Sequence, residues 1–322
     1  MSSIIVNEQR YPLASGATVL DTLLEAGLDV SYGCRAGACQ SCMVRATAGE
    51  IPAEAQQGLK ETLKAEGWFL ACRCIPSGEL SIDLNGAALP RMVAEVVEKR
   101  LLSSQVMGIW LKPEQPLGYR AGQFITLWRD GSTGRSYSLA SLQGQEEFLE
   151  LHVARVDEGA VSPWVHDLLE VGDRLDIEGP QGECFYVSGA PEQPLLLVGT
   201  GTGLSPLYGV TRDALHAGHS GPIHLFHGAR SADHLYYQDE LKKLAAEHDN
   251  FHYHPSLLQP EEGLADEVEY GPIDRLVADH LPKLGGWRVY LSGAPDIVNQ
   301  LRKQCFLSGA DSKAIHTDPF GG

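Results

Sequence analysis

The chain lacks several features that mark membrane, secreted or nucleic-acid-binding proteins. No apolar run in its 322 residues approaches the roughly 20 residues that span a bilayer, so no membrane segment is expected. The opening MSSIIVNEQR has neither the basic start nor the apolar stretch of a secretory signal, which predicts a cytoplasmic protein. Only 25 lysines and arginines stand against 42 aspartates and glutamates. Because phosphate binding needs clustered cations, this balance argues against a nucleic-acid partner.

Composition and length indicate several globular domains. Hydrophobic residues make up 43% of the chain and charged residues 21%, as in ordinary globular proteins. A chain of 322 residues is too long for one hydrophobic core, which predicts two or three domains. The net charge of -17 favours solubility and would suit a basic patch on a protein partner.

The strand and helix patterns divide the chain into three predicted domains. Residues 1–88 show short strands around one helix, with Thr18 as its N-cap and Gly27 at its end. Residues 90–189 are rich in strands separated by Gly, Pro and Asp turns, which favours an antiparallel barrel. In residues 190–322 apolar strands alternate with helices, which predicts a parallel sheet covered on both faces, with ligands at the carboxyl ends of its strands.

Five of the seven cysteines lie in the first quarter of the chain, three of them in SYGCRAGACQSC. A disulfide framework is not expected, because cytosolic thiols stay reduced and a chain of this length needs no covalent staples. The spacing is Cys34, four residues, Cys39, two residues, Cys42, then 29 residues to Cys72. Three thiolates from one loop and a fourth from a distant strand are typical of a plant-type 2Fe-2S cluster. A structural zinc site is the alternative, but its ligands usually come as two close pairs.

The residues around these cysteines are small, which cluster binding explains. Backbone N–H groups have to turn inward to hydrogen-bond the sulfurs, and bulky side chains would hold the loop away. The small residues are Gly33, Ala36, Gly37 and Ala38. The loop resembles that of the plant-type ferredoxin family, whose last ligand follows FLA, as in FLACRC here. On that resemblance Cys72 is the fourth ligand, while Cys74 points to the other face of the segment and is a bystander.

Two further motifs lie in the second predicted domain. RSYSLAS (135–141) opens a strand, and GAVSPW (159–164) leads into a helix with Ser162 as N-cap and Pro163 as its first residue. Such a helix start offers free N–H groups and a positive helix end to a pyrophosphate. Together with the later GTGTGLSP, these stretches resemble the R-x-Y-S and G-x-x-S motifs of the ferredoxin-NADP reductase family of flavoproteins.

The resemblance implies roles for these residues in binding FAD. Arg135 would pair with the flavin phosphate, Tyr137 would pack on the isoalloxazine ring, and Ser138 would lie near its reactive nitrogen. The pyrophosphate, which distinguishes FAD from FMN, would be held by Gly159, Ala160, Val161 and Ser162. His152 and Val153 match positions that meet the ring edge mainly through backbone atoms. An ordinary strand histidine is an equally good interpretation of His152.

The third predicted domain opens with PLLLVGTGTGLSPLYGV, an apolar strand, a glycine turn and a helix. In that context glycines cradle a phosphate. The stretch differs from the G-x-G-x-x-G fingerprint and resembles the reductase family's own pattern. In that pattern the dinucleotide backbone approaches the turn, and the helix begins directly after it. The corresponding residues are Thr200, Gly201, Gly203, Ser205 and Pro206.

Three later segments complete the expected contacts. Arg230 follows the second strand, where it would bind the 2′-phosphate of NADPH or stand in solvent beside an NADH ribose. Its surroundings, HGARSADHLYYQDEL, resemble the NADH-using relatives, so NADH is favoured over NADPH. VYLSGAPDIV matches a strand motif in which relatives usually carry Cys at Ser292 and Pro at Ala294, on either side of Gly293. Ser292 should preserve hydride donation but alter the placement of the nicotinamide ring. Phe320, near the chain end, either stacks on the flavin or closes the core there.

The domain order resembles the reductase components of bacterial multicomponent oxygenases, such as the benzoate dioxygenase and phenol hydroxylase systems. It implies a β-grasp ferredoxin domain, a six-stranded antiparallel flavin-binding barrel and a doubly wound parallel-sheet nucleotide domain. It also implies that NADH passes a hydride to FAD beside Ser138 and Ser292. Electrons would then pass singly through the 2Fe-2S cluster to a terminal oxygenase or hydroxylase component.

Two other functions fit parts of the sequence. Reductases that serve a CDP-deoxysugar dehydratase share the domain order and differ only in their partner. A redox-sensing or electron-storing module with negligible turnover would need the cluster but not hydride transfer. The intact nicotinamide motif argues against this last alternative.

Overall fold

The computed structural model describes residues 2–37, 40–84, 89, 91–261 and 267–320. The chain divides into two compact units, residues 1–89 and 90–322. Cys39, one of the expected cluster ligands, lies outside the described residues, as do residues 85–88 and 90 at the first expected domain boundary. None of the helices in these described ranges is both long enough and apolar enough to cross a bilayer.

The first unit is a mixed five-stranded sheet packed against one helix. Its elements are β1 (Ser3–Val6), β2 (Gln9–Pro12), α1 (Val19–Glu25), β3 (Met43–Ala48), α2 (Glu61–Ala65), β4 (Trp68–Leu70) and β5 (Glu79–Asp83). The strand order is β2-β1-β5-β3-β4, with β1 and β5 parallel and the other pairs antiparallel. This is the expected β-grasp arrangement.

Helix α1 begins and ends where the sequence predicts. The Thr18 side chain accepts a hydrogen bond from the backbone N–H of Asp21, and the Asp21 side chain accepts one from the backbone N–H of Thr18. Gly27 follows the helix at φ +70°, a left-handed conformation that glycine adopts without strain. Val19, Leu20 and Leu23 are buried in the core of the unit.

The first half of the second unit is a six-stranded antiparallel barrel. Its elements are β6 (Arg91–Ser103), β7 (Val106–Pro113), β8 (Phe124–Trp128), β9 (Gly134–Ser138), β10 (Leu149–Ala154), α3 (Ser162–Asp167) and β11 (Arg174–Gln181). The strand order is β10-β7-β6-β11-β8-β9, and an antiparallel bridge between Leu139 and Leu151 joins the two edge strands. Alternate side chains such as Ile109, Leu127 and Val153 fill the barrel core.

Helix α3 begins one residue earlier than the sequence predicts. Ser162 is its first residue and Val161 is its N-cap. The Ser162 hydroxyl accepts a hydrogen bond from the backbone N–H of Val156 at 3.0 Å, so it stabilises the preceding loop rather than the helix. The predicted cap failed because this loop competes for the same hydroxyl.

The second half of the unit is a parallel six-stranded sheet with helices on both faces. Its elements are β12 (Leu195–Thr200), α4 (Leu204–His216), β13 (Ile223–Ala229), α5 (Gln238–Glu247), β14 (Phe251–Leu257), β15 (Glu269–Tyr270), α6 (Ile273–His280), β16 (Arg288–Gly293), α7 (Pro295–Leu307) and β17 (Ile315–Pro319). The strand order is β15-β14-β13-β12-β16-β17. Leu195 and Leu197 face α4 and α5, whereas Leu196 and Val198 face α6 and α7.

Candidate functional site

The order of the parallel strands reverses at β12, which has β13 on one side and β16 on the other. Ligands bind at the carboxyl ends of strands at such a switch point. Thr200 ends β12 and Gly293 ends β16, so the two predicted nicotinamide motifs lie at this edge of the sheet.

The glycines at this edge allow two backbones to approach closely. A Cβ on Gly203 would lie 2.4 Å from the carbonyl oxygen of Ser292, and one on Gly293 would lie 2.3 Å from Thr200 Oγ1. Thr200 Oγ1 also accepts a hydrogen bond of 3.4 Å from the backbone N–H of Ala294. Gly201 has φ +56°, and a Cβ there would meet no atom of the described residues within 4 Å. One face of the turn is therefore open, as a phosphate cradle requires.

A buried histidine that the sequence reasoning missed supports this turn. His227 lies in β13, and its Nε2 donates to the carbonyl oxygen of Gly201 at 3.2 Å. Its Nδ1 lies 3.4 Å from the hydroxyl of Tyr253, which then acts as the donor. Burial lowers the pKa of His227 to about 4, so the ring is neutral at pH 7 and holds this tautomer.

The flavin motif of the barrel meets the nicotinamide motif through one carboxylate. Ser138 ends β9 and is buried, and its hydroxyl donates to Asp318 Oδ2 at 2.8 Å. The Ser292 hydroxyl donates to the main-chain oxygen of Asp318 at 3.2 Å. Burial raises the pKa of Asp318, while the hydrogen bond from Ser138 opposes the rise. The two serines predicted at the site of hydride transfer therefore share Asp318, which the sequence reasoning did not identify.

Helix α4 also contacts the flavin motif. The Ser205 hydroxyl donates to the carbonyl oxygen of Ser138 at 2.9 Å, and Pro206 is buried beside it in the first turn. A Cβ on Gly209 would lie 2.9 Å from the carbonyl oxygen of Leu139, so the helix packs directly on the end of β9. The barrel and the parallel sheet are thus held together at the predicted site.

The other two residues of the flavin motif differ in exposure. Arg135 is exposed, and its guanidinium donates to the carbonyl oxygen of Gly134 at 2.8 Å. Tyr137 is half-buried against the barrel core, and burial raises its pKa to about 12. An exposed cation beside a neutral phenol is a suitable pair for a phosphate and an aromatic ring.

The predicted pyrophosphate segment runs from Gly159 to Ser162. A Cβ on Gly159 would lie 2.9 Å from both Ser162 Oγ and the carbonyl oxygen of Val156, which requires glycine there. Arg129 Nη1 donates to the carbonyl oxygen of Ala160 at 2.9 Å, and Val161 is fully buried. Arg129 is thus a second cation near the segment, and nothing in the local motif indicated it.

The side chains of His152 and Val153 make contacts within the protein. Val153 packs in the barrel core. His152 is buried, with Nδ1 at 2.9 Å from the Tyr236 hydroxyl and Nε2 at 2.9 Å from Glu150 Oε1. Burial opposes ionisation of Glu150, but hydrogen bonds from His152 and Tyr237 outweigh it and lower the pKa of this carboxyl. Only the backbone of these strand residues is left for a ligand.

Arg230 and Phe320 lie at the same carboxyl edge. Arg230 is exposed directly after β13. Phe320 is half-buried, and its N–H donates to the carbonyl oxygen of Gly293 at 2.9 Å. The chain end is therefore attached beside the nicotinamide motif.

Three of the four described thiols of the first unit, those of Cys34, Cys42 and Cys72, come together at the cysteine loop. Cys42 and Cys72 are buried, and their thiols are hydrogen-bonding neighbours. Burial is the main reason why the pKa of Cys72 is raised to about 11. The neighbouring thiols of Cys42 and Cys34 contribute to the rise. Three soft sulfur donors of this kind suit iron.

Backbone N–H groups turn toward these sulfurs as the small residues predict. The N–H of Ala36 donates to Cys34 Sγ at 3.4 Å, and the N–H of Gly37 is directed at the Cys72 sulfur. Gly37 has φ +80°, and a Cβ on it would lie 3.0 Å from the Arg73 side chain. Donors that point at sulfur stabilise a cluster of net negative charge, so the loop fits a 2Fe-2S group.

The remaining cysteines lie in apolar surroundings. Cys74 is completely buried in the core of the first unit, where burial raises its pKa to about 12. Cys184 and Cys305 are buried in separate hydrophobic clusters of the second unit. Each of the three packs as a small hydrophobic residue.

Three family models match successive parts of the chain. Residues 4–77 match a 2Fe-2S iron-sulfur cluster binding domain, residues 93–186 an oxidoreductase FAD-binding domain, and residues 197–303 an oxidoreductase NAD-binding domain. The three matches follow the order in which the motifs occur.

Relatives match nearly the whole length of the chain. The phenol hydroxylase P5 protein of Acinetobacter pittii is 31% identical over 94% of this chain and 89% of its own length. A CDP-6-deoxy-L-threo-D-glycero-4-hexulose-3-dehydrase reductase of Yersinia pestis is 27% identical over 94% of this chain and 93% of its own. The crystal structure of the Amycolatopsis cytochrome P450 reductase GcoB superposes with a TM-score of 0.68 at 29% identity, covering 99% of both chains.

Proposed function

Because the chain belongs to the family of ferredoxin-NAD(P) reductase components of oxygenase systems, we propose that it delivers electrons from NADH to a terminal oxygenase component. It is an oxidoreductase with 2Fe-2S, FAD and NAD domains. We propose three things beyond this: that the chain uses NADH, that its partner is a terminal oxygenase component, and that each site residue has the role given below.

One observation carries the proposal. Ser138 of the flavin motif and Ser292 of the nicotinamide motif, 154 positions apart in the sequence, both hydrogen-bond to Asp318. This contact brings the end of a barrel strand to the ends of β16 and β17. Hydride transfer needs its donor and acceptor in close, fixed orientation, and this is the place where the two motifs meet.

When bound, the cofactors would supply the chemistry, which is acceptance of a hydride by FAD and its release as single electrons to the 2Fe-2S cluster. Residues that would hold FAD are Arg135, Tyr137, Ser138, His152, Val153, Phe320 and the segment Gly159 to Ser162. Residues that would hold the dinucleotide are Thr200, Gly201, Gly203, Ser205, Pro206, Arg230, Gly293 and Ala294. The thiolates of Cys34, Cys39, Cys42 and Cys72 would hold the cluster.

The chain's own groups orient the reacting partners. The Ser138 hydroxyl is held toward Asp318, so its proton is directed to Oδ2 and its lone pairs remain available to a ligand. Ser292 is fixed by the main-chain oxygen of Asp318, which leaves its hydroxyl oxygen free to accept a hydrogen bond. His227 fixes the glycine turn by donating a hydrogen bond to the carbonyl oxygen of Gly201.

A carboxylate that contacts the loop after β13 supports NADH over NADPH. It belongs to Glu261, which lies in the segment after β14. Both carboxylate oxygens of Glu261 accept from the backbone N–H of Ala232, at 3.3 and 3.2 Å, two residues beyond Arg230. An acidic side chain near the end of the second strand binds ribose hydroxyls and repels a 2′-phosphate. The carboxylate thus offsets the attraction that Arg230 would exert on NADPH.

The test is reconstitution with a purified terminal oxygenase component. We expect NADH to support product formation with kcat/KM at least about tenfold above that of NADPH, since a single charge contact is worth about 1.4 kcal/mol or more. Glu261→Lys should lower the ratio of kcat/KM for NADH to kcat/KM for NADPH. Glu247→Lys, at an exposed position of α5, should leave this ratio unchanged. Failure of every oxygenase component to accept electrons, together with rapid reduction of a sugar dehydratase, would instead identify the CDP-deoxysugar function.

A further inference from the structure

Four histidines cluster in the nucleotide half of the second unit, away from the proposed dinucleotide site. His224 of β13 pairs in register with His252 of β14, and Phe226 pairs with His254. Residues two apart on a strand share a face, so these side chains lie on one side of the sheet. His280, the last residue of α6, completes the group, with its ring centroid 4.8 Å from that of His254.

Two of these histidines and one carboxylate have the geometry of a metal-binding triad. One ligand atom from each of His254, Glu269 and His280 lies within 4.8 Å of the other two. Glu269 Oε1 is 3.6 Å from His254 Nδ1, and Glu269 Oε2 is 2.8 Å from His280 Nε2. Bonds of about 2.0 to 2.2 Å to a tetrahedral zinc ion place ligand atoms roughly 3.3 to 3.6 Å apart. Small side-chain rotations are enough to reach that spacing.

The His254 ring is held in place from its other side. Its Nε2 lies 3.0 Å from Nδ1 of His224, and Phe226 stacks on the ring at a centroid distance of 4.3 Å and an angle of 10°. Histidines that bind metal usually use their second nitrogen in such a hydrogen bond, which orients the ring and fixes its tautomer. A ring fixed in this way presents Nδ1 to the carboxylate.

The surroundings also allow a cation to enter. The side chain of His254 is 15% exposed, that of Glu269 33% and that of His280 38%, so one side of the triad faces solvent. His280 stands at the carboxyl end of α6, where the helix dipole favours positive charge.

The triad is separate from the proposed electron-transfer site. Dinucleotide contacts are expected at the carboxyl ends of the strands. His254 is three residues before the end of β14 at Leu257, which corresponds to about 10 Å along an extended strand, and β13 lies between β14 and the switch-point strand β12.

We propose that His254, Glu269 and His280 bind one divalent transition-metal ion of the zinc class, with water in the fourth position. Two imidazoles and one carboxylate with an open position are a ligand set that zinc uses. The ion would link β14, the two-residue strand β15 and the end of α6. In the absence of an ion, Glu269 and His280 would form an ordinary, partly exposed hydrogen bond of small energy.

The test uses the holoprotein, with FAD and cluster in place, and Zn²⁺ in competition with a chromophoric chelator. Wild type should bind one more ion per chain than His280→Ala, or bind the same ion about a hundredfold more tightly. Glu269→Gln provides a second variant that keeps the shape of the site. His216→Ala, which removes an exposed histidine at the end of α4, should bind as wild type does.

Zinc-edge X-ray absorption identifies the ligands independently of protein activity. We expect nitrogen and oxygen neighbours without sulfur, and a rise in melting temperature with Zn²⁺ that both triad variants lose. Equal zinc binding by wild type, His280→Ala and Glu269→Gln would overturn the proposal. A sulfur-containing shell would overturn it as well, because the ion would then be on cysteines.

Discussion

The Ser138 hydroxyl donates a 2.8 Å hydrogen bond to a carboxylate oxygen of Asp318, 180 residues further along the chain. Asp318 is the register partner of Ser292 on the neighbouring strand, and its main-chain oxygen accepts from the Ser292 hydroxyl. A single residue of the last strand therefore orients both serines. This position buries the carboxyl group of Asp318, and burial raises its pKa.

Replacing Asp318 by Asn should increase the stability of the protein and decrease its activity. Because burial raises the pKa of Asp318, its ionised form is destabilising above that pKa, and the neutral amide removes this penalty. We expect Asp318→Asn to raise the melting temperature at pH 7 but to slow flavin reduction by NADH about tenfold to a hundredfold, since the charge-assisted hydrogen bond that orients Ser138 is replaced by a weaker one to a neutral amide oxygen.

Stopped-flow measurement of flavin reduction checks the rate, and thermal unfolding checks the stability. Asp249→Asn, at an exposed site, serves as the matched control and should change neither quantity. Flavin reduction at the wild-type rate in Asp318→Asn would refute the orienting role.

Gly203 should not tolerate a side chain. Alanine there would place its Cβ 2.4 Å from the carbonyl oxygen of Ser292, so the turn or the end of β16 has to move. We expect a loss of about 1 to 3 kcal/mol in the free energy of unfolding and a KM for NADH raised at least about tenfold. The control is Gly285→Ala, where a Cβ would meet no atom within 4 Å in the part of the chain that the structure describes. Unchanged NADH kinetics in Gly203→Ala would contradict the close approach.

Substitution by serine should have different effects at Cys72 and at Cys74. Cys72→Ser should abolish the visible absorption of the 2Fe-2S cluster while NADH still reduces the flavin. Cys74→Ser should retain the cluster but destabilise the first unit by about 1 to 3 kcal/mol, because its hydroxyl would be buried in an apolar core. Absorption spectra and denaturant unfolding distinguish the two variants. Cluster loss in Cys74→Ser alone would reverse the ligand assignment.

The Glu150 cluster should make stability depend on pH. Hydrogen bonds from His152 and Tyr237 lower the pKa of Glu150 below its ordinary 4.5, against the effect of burial. Such a group stabilises the protein above pH 4.5, and this stabilisation disappears as the pH falls through the lowered pKa. Glu150→Gln should therefore cost about 2 kcal/mol at pH 7, and the difference from wild type should shrink in acid.

Denaturant unfolding at neutral and acidic pH measures this difference. Glu247→Gln, on the exposed face of α5, should differ from wild type by less than about 0.5 kcal/mol at either pH. A penalty for Glu150→Gln that does not change with pH would show that the carboxylate charge is unimportant.

Local features of the fold were predictable because their causes are local. Thr18 caps α1 by accepting a hydrogen bond from the N–H of Asp21, only three residues further along the chain. Gly27 ends the helix by its own left-handed conformation. The parallel sheet was predictable because each strand and helix after residue 190 has its own pattern in a short stretch of sequence. The cluster and glycine motifs were recognisable because each is contained in one loop.

The connections between motifs were not predictable. Asp318 meets Ser138 across 180 positions, and His227 reaches Gly201 across 26, so no local pattern marks either residue. The start of α3 was also misplaced, because the hydroxyl of Ser162 bonds to Val156 in the preceding loop. In each case the deciding contact is set by tertiary packing.

Anaerobic mixing of the holoprotein with NADH tests the proposed electron path most directly. Absorption follows the flavin, and electron paramagnetic resonance follows the reduced cluster in samples frozen during the same reaction. We expect flavin bleaching to come first, the cluster signal to follow within the time of turnover, and Cys72→Ser to show only the first event. A flavin that is reduced by NADH while the intact cluster remains oxidised would contradict this path.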